Sequence, residues 1–235
     1  MRVDEVFPGV RHVMVDGYAL PGGKILLAYY EYVLEKLVWF EIADRENKQA
    51  ILEGLRTLRD SFGYRDIQAF VTDGGAGILA AVREAYPAAA VQRCLVHVQR
   101  QARTYLTDSP KSPAGKALRK IVRYENLTDA WLFPRLLRAW ETRYAAFLGE
   151  KTVFVSGRWR YRHGNVRKAA NHIRNALPCM YQAEAAGDPL VKRSTNDLEG
   201  WFGVFTDEGV LEHKGLSPER LGAFVAAWAY FRNHK

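Results

Sequence analysis

Three acidic residues have types and settings that could do chemistry together. Asp16 follows an apolar run in "VRHVMVDGYAL", Asp73 follows another in "AFVTDGGAGILAAV", and Glu199 lies in "STNDLEGWFG". Two carboxylates brought close together repel each other and must share a proton or a cation. Oxygen-only ligands at an open site suit Mg²⁺ or Mn²⁺. Two such ions, roughly 3.5–4 Å apart, stabilise both the attacking and the leaving oxygen of a phosphoryl transfer. Each acid also has an ordinary reading: Asp16-Gly17 as a hairpin turn, Asp73 as the cap of the helix after it, Glu199 as a surface helix position. Each ordinary reading accounts for one residue, and none accounts for all three.

The elements that must position these acids are readable from pattern. Residues 10–16, 24–30 and 35–42 read as strands rich in Val, Tyr, Phe and Trp, with Pro21-Gly22-Gly23 turning the chain between the first two. Short links between sequential strands predict an antiparallel meander. Ile51, Leu52, Leu55, Leu58 and Phe62 recur at helical spacing, so a helix over 47–62 packs on that sheet. Residues 67–73 read as a fourth strand. Ile78, Leu79, Val82 and Tyr86 stripe a helix that stops before Pro87, and 89–93 forms a short fifth strand. Because the fourth strand follows a helix, it can return parallel to the first by a crossover. That arrangement sets Asp16, at the end of strand one, beside Asp73, at the end of strand four.

Glu199 is expected on a helix capped by Ser194 or Thr195, with Asn196 three residues earlier on the same face. Leu198, Trp201, Phe202 and Phe205 would anchor that helix to the sheet. Gly200 and Gly203 cost helix stability, which predicts that something approaches them closely. A last helix follows, with Ser217 as cap, Pro218 at its first position, and Leu221, Phe224, Val225, Trp228 and Phe231 on one face.

With 235 residues, 48% hydrophobic and 12% aromatic, the chain can fill a substantial core. Two cysteines, Cys94 and Cys179, are too few for a disulfide framework. The sequence has neither a signal-peptide pattern at its start nor 18 unbroken apolar residues, so the expectation is a cytoplasmic protein without a membrane partner. The net charge of +8 favours polyanionic partners. It is concentrated: residues 98–175 hold 17 Lys and Arg against 5 Asp and Glu.

Beyond residue 98 strand-like alternation fades and helices are expected to about 190, with "SPKSPAGKAL" (109–118) as a boundary signal. Within that region residues 156–175 carry six Lys or Arg, two His and no acid, with Trp159 and Tyr161 interleaved. Such a stretch can neutralise phosphates and stack an aromatic on an unpaired base. The alternative is a solvated basic helix with its aromatics packed inward.

Taken in order, "VDGY", "VTDGGAGILAAVREAYP", "VQRCLVHVQR", "STNDLEGWFG" and "HKGLSPERLGAFVAAWAYFRN" resemble the catalytic core of bacterial insertion-sequence transposases of the Mutator-like group, over almost the whole chain. The resemblance implies a ribonuclease-H-like α/β fold, a mixed sheet flanked by helices and interrupted by an all-α insertion before the catalytic Glu. It divides the chain into a first core part at 1–97, the insertion at 98–190, and C-terminal helices completing the core at 191–235. It assigns the catalytic and metal-binding roles to Asp16, Asp73 and Glu199, with two Mg²⁺ ions, replaceable by Mn²⁺. It implies cleavage of DNA at transposon ends and strand transfer into target DNA, by a homodimer or larger assembly.

The group also carries a Cys/Asp-x-x-His signature after the second Asp, matched here by Cys94 and His97. Zinc is the alternative reading, with His172 and Cys179 as the second half-site, but the spacing of that pair does not support it. Cys94 is then a packed thiol and His97 a near-site residue touching DNA. The insertion of related transposases holds DNA, which points to Arg158, Trp159, Arg160, Arg162, Arg167 and Lys168 as DNA-binding residues. Relatives carry an end-recognising region before the first Asp. Only fifteen residues precede Asp16 here, so the expectation is a catalytic fragment, a split or decayed gene product, or a truncation. Two other functions fit the same residues: a different ribonuclease-H-like nuclease, or a truncated noncatalytic DNA-binding regulator of transposition.

Overall fold

The computed structural model describes residues 6–210 and 215–234, so His213 and Lys214 of the last motif lie outside the described residues. A five-stranded mixed sheet forms from β1 (His12–Ala19), β2 (Ile25–Glu31), β3 (Lys36–Ala43), β4 (Ala69–Thr72) and β5 (Ala90–Arg93). Its order is β3-β2-β1-β4-β5. The first three strands pair antiparallel, and β4 and β5 run parallel to β1. The meander and the crossover expected from the sequence are both present.

The pleat gives the sheet two apolar faces. Val13 and Val15 of β1 pack with Ile51, Leu52 and Leu55 of α1 (Lys48–Arg56) and with Ile78 and Val82 of α2 (Ala76–Ala85). Met14 and Val71 face the opposite way, into a cluster that the helices at the C-terminal end of the chain complete. Asn47 caps α1, its side chain accepting from Ala50 N–H at 3.0 Å. The helical pattern expected through Phe62 continues only as a wider five-residue turn after α1.

After α3 (Leu95–Leu106) the chain forms α4 (Pro113–Ile121), α5 (Tyr124–Leu127), α6 (Leu132–Arg143) and α7 (Ala145–Gly149). A hairpin of β6 (Lys151–Val153) and β7 (Trp159–Tyr161) interrupts the helices before α8 (Gly164–Ala176) and α9 (Gln182–Ala186). Leu95, Val98, Leu118, Phe133, Trp140 and Ile173 share one core across this segment. The all-α expectation for 98–190 is therefore corrected: β-formers flank Ser156-Gly157, and Gly157 takes φ +77° to turn the chain.

Finally α10 (Asn196–Phe205) and α11 (Pro218–Asn233) lie on the Met14 face, through Leu198, Trp201, Phe202, Phe205, Leu221 and Val225. Ser217 caps α11 as expected, accepting from Arg220 N–H at 3.4 Å. Phe231, placed by periodicity on the packed face, is 68% exposed, because the buried stripe runs through Leu221, Val225, Ala229 and Asn233. Among the described residues no helix is long and apolar enough to cross a membrane.

Candidate active site

β1 and β4 pair in parallel from His12–Ala69 to Val15–Thr72. The next residue on each strand is an aspartate, so Asp16 and Asp73 leave neighbouring strands at one level. By alternation Asp16 shares the face of Met14, and Asp73 that of Val71, the face that α10 covers. Asp16 does not end its strand, since β1 continues to Ala19 in antiparallel pairing with β2. The Asp16-Gly17 hairpin reading is thereby excluded. Asp73 does not cap α2 either: Gly75 is the N-cap and has no side-chain cap bond, while Asp73 Oδ1 accepts the Gly75 N–H at 2.8 Å. Gly74 between them adopts φ +84°, and a side chain there would collide with Arg93, which donates to the Asp73 carbonyl at 3.3 Å.

Burial, then the neighbouring Asp73 charge, pushes the Asp16 carboxyl from 3.8 up to about 7. The His97 ring and the Gly17 N–H, which donates to Asp16 Oδ1 at 2.8 Å, pull it partly back. A third carboxylate adds to the push, that of Glu46, which sits two residues before α1. Glu46 is itself raised by burial and by Asp73. It reaches in beside Gly17, where a Cβ would come 2.5 Å from Glu46 Oε2. Sequence reasoning passed over Glu46 because it lies in the polar stretch "ADRENKQA", where only the helix-capping signal of Asn47 marks a position nearby.

Glu199 stands in the first turn of α10 and faces α3. Its Oε2 accepts from Arg100 Nη2 at 3.3 Å, and its Oε1 lies 3.7 Å from His97 Nδ1 and 3.4 Å from Thr195 Oγ1. Thr195 is fully buried at the N-cap position, yet its side chain makes no cap bond. The hydroxyl is instead spent on Cys94 Sγ (3.5 Å), His97 Nδ1 (3.4 Å) and Glu199. This polar hub is the second feature that sequence reasoning missed. Its one visible signal was the capping alternative at Ser194 or Thr195.

Cys94 is fully buried, as a packed thiol would be. Burial pushes that thiol up, but hydrogen bonds from His97 and Thr195 outweigh it and leave it lowered. His97 is raised, first by its hydrogen bond to Cys94 and further by the charges of Asp16 and Glu199. The imidazole therefore stands in the fields of two of the three expected catalytic acids. Among the described residues the other two weighed for zinc join no group of three possible ligands. Cys179 Sγ receives Arg83 Nη2 at 3.3 Å, and burial lowers His172 to about 4.

Among the described residues no group of three His, Cys, Asp or Glu converges closely enough to hold an ion. Asp16, Asp73 and Glu46 stand within one another's electrostatic reach without forming such a group, and Glu199 is turned to Arg100 and His97 on the neighbouring helix. The donor chemistry of Asp16 and Asp73 suits a hard divalent cation: both offer only oxygens, and burial with the neighbouring Asp73 charge disfavours the lone Asp16 carboxylate. Asn196 is exposed at the start of α10 and joins none of these contacts. A Cβ at Gly200 or Gly203 would meet nothing within 4 Å, so nothing in this chain makes the close approach expected there.

The expected DNA-binding residues gather on the hairpin and on α8. Arg158, Trp159, Arg160 and Arg162 are exposed, and Lys168 is exposed on α8. Trp159 is 51% accessible, which rules out the inward-packed reading. Lys151 Nζ covers one side of its ring at 3.9 Å, and Arg167 stacks 3.4 Å from the Tyr161 ring centre. His97 lies apart from this group, at the acidic site.

The sequence model described as "Transposase, Mutator family" matches residues 35–150, a stretch that contains Asp73, Cys94 and His97. Three curated proteins are similar over parts of the chain. The transposase for insertion sequence element IS905 of Lactococcus lactis subsp. lactis (strain IL1403) is 29% identical over 106 residues, 45% of this chain and 27% of that protein. The transposase for ISRM5 of Rhizobium meliloti (strain 1021) is 32% identical over 114 residues, 48% and 26% of the two chains. The transposase for IS1201 of Lactobacillus helveticus is 36% identical over 66 residues, 28% and 18%. The similarity thus spans about a quarter of the length of the first two relatives.

Proposed function

Since the chain belongs, through residues 35–150, to the Mutator family of transposases, we propose that it is the catalytic region of an insertion-sequence transposase acting on DNA. The observation that carries this reading is the parallel β1–β4 pair in the middle of the sheet, whose register sets Asp16 and Asp73 at one level on neighbouring strands. The strand order β3-β2-β1-β4-β5, with helices on both faces, supports a ribonuclease-H-like core.

In this reading Asp16 and Asp73 would hold Mg²⁺ or Mn²⁺, and Glu199, now paired with Arg100, would be the third carboxylate. The ions would supply charge stabilisation for the attacking and leaving oxygens of an in-line displacement. The chain's own residues do the rest. His97, raised toward the imidazolium form, offers an N–H to a phosphate oxygen between Asp16 and Glu199. Thr195 fixes the His97 ring and the Glu199 carboxylate from within the core. Arg158, Arg160, Arg162, Arg167 and Lys168 hold phosphates, and the open face of Trp159 stacks on an unpaired base.

In the first step water attacks the phosphodiester at the element's end, the P–O3′ bond breaks, and a 3′-hydroxyl is released. In the second that hydroxyl attacks a target phosphodiester, joining one strand and releasing another 3′-hydroxyl. Two ends must be processed together, which calls for a homodimer or larger assembly.

The test is a pair of assays on the purified chain. Mg²⁺-dependent nicking lost in Asp73→Asn supports the site. Joining of a pre-nicked element end to target DNA supports transposition over simple hydrolysis. Nicking that persists in Asp73→Asn overturns the site, and nicking without joining favours a ribonuclease-H-like nuclease.

A further inference from the structure

A second basic surface, separate from the hairpin, runs from the acidic site along α3. Arg100 and Arg103 lie one turn apart on its exposed side. Gln99 and Arg103 line two adjoining hollows, one of about 570 Å³ that reaches Arg100 and one of about 430 Å³ that reaches Arg119, Lys120 and Arg123. Gln99 Nε2 donates to the Val122 carbonyl at 3.0 Å, fixing the far wall to α3. The two hollows form one groove that begins at Arg100, the residue bonded to Glu199.

Its charge is one-sided. Five cationic side chains line the groove against Asp108 and Glu125. Asp108 Oδ1 is shared between Arg119 (2.7 Å) and Arg103 (3.9 Å), and Glu125 is 3.8 Å from Arg123. These acids are exposed, and exposed pairs contribute little and exchange readily with other anions. Arg119 Nη1 is buried with no hydrogen-bond acceptor. Basic residues in the last turns, Arg119 and Lys120 on α4 and Arg103 on α3, also complement their helix dipoles, but that role does not explain Arg100 in the middle of α3.

We propose that this groove is a track for the phosphodiester backbone of a nucleic-acid strand leading to Glu199. The proposal rests on the DNA-acting reading above and adds the path of the strand. From His97 to Leu106 α3 rises about 14 Å, which matches about four nucleotides at ~3.4 Å each. A phosphate seated at Arg100 competes directly with Glu199 for the same guanidinium. Strand entry and release of Glu199 toward the aspartates are then one event.

The experiment compares DNA affinity across a salt series for the wild-type chain, Arg103→Gln/Arg123→Gln, and Arg103→Lys/Arg123→Lys, in EDTA. The track predicts that the Gln pair flattens the log–log salt slope by about 1.4 for single strands or 1.8 for duplex, and that the Lys pair restores most of it. Lys120→Gln, exposed on α4, should flatten it by about 0.7–0.9 and serves should the Gln pair lose its cooperative melt. An unchanged slope in folded Gln variants overturns the track while leaving the DNA-acting reading intact. Failure of the wild-type chain to bind DNA at low salt overturns both.

Discussion

Asp16 and Asp73 each follow the last residue of the parallel β1–β4 ladder, Val15 opposite Thr72, and burial together with the Asp73 charge raises the Asp16 carboxyl to about 7. The ladder is what forces the repulsion: neither strand can slide without moving Met14, Val15 and Val71 out of the core. Ionising the buried Asp16 beside Asp73 therefore costs free energy in the folded state.

The first prediction follows from that energy. Asp16 is raised in the folded state, so between about pH 4 and 7 the folded chain binds more protons than the unfolded one. Stability therefore falls as pH rises through that window. Asp16→Asn removes the charge and should raise the melting midpoint at pH 8 with little effect at pH 4. For a chain of this size about 1 kcal/mol shifts the midpoint by roughly 2–4 °C. Thermal melts at the two pH values read the difference, and equal shifts at both would contradict it.

Glu199→Gln separates chemistry from folding. The carboxylate is partly exposed, and its pairing with Arg100 contributes at most about 1 kcal/mol to stability. Melting should move little while cleavage falls by at least about 100-fold, the scale of one preorganised charge at a transition state. Single-turnover cleavage at saturating protein measures it.

Thr195 is predicted to position rather than react. Thr195→Val keeps the volume but strands Cys94, His97 and Glu199 without the hydroxyl, at a cost of about 1–3 kcal/mol. Thr195→Ser retains the hydroxyl and should recover most of the cleavage rate. If Val and Ser behave alike, the hydroxyl has no positioning role.

Gly74 tests how tightly Asp73 is held. At φ +84° with Arg93 packed against it, Gly74→Ala should destabilise by more than about 1 kcal/mol and displace the Asp73 carbonyl bonded to Arg93. The melt and Mn²⁺ affinity should fall together.

Trp159→Ala should cost about 1–3 kcal/mol in binding DNA with unpaired bases and much less on intact duplex. Its side chain is half exposed, so the melt should not change. Fluorescence of a base analogue placed at the unpaired position reads the stacking directly.

The sheet and the aspartate pair were legible because strong local signals agree with one topology. Apolar runs end at each Asp, and a helix between strands requires the crossover. What escaped was of two kinds. The strands Lys151–Val153 and Trp159–Tyr161 are three residues long, too short for alternation to register against flanking helices. Glu46 and Thr195 act through neighbours distant in sequence: Glu46 beside Gly17, and Thr195 beside Cys94. Periodicity records which face a residue takes, not which partner waits there. Phe231 shows the converse, a residue on the expected stripe left uncovered because α11 buries the face of Leu221, Val225, Ala229 and Asn233.

The most direct measurement is anomalous diffraction from crystals of the chain bound to a DNA end and soaked in Mn²⁺. An anomalous peak is expected between Asp16 and Asp73, with Glu199 turned from Arg100 toward it. A DNA-bound site with no peak at the two aspartates would contradict that expectation.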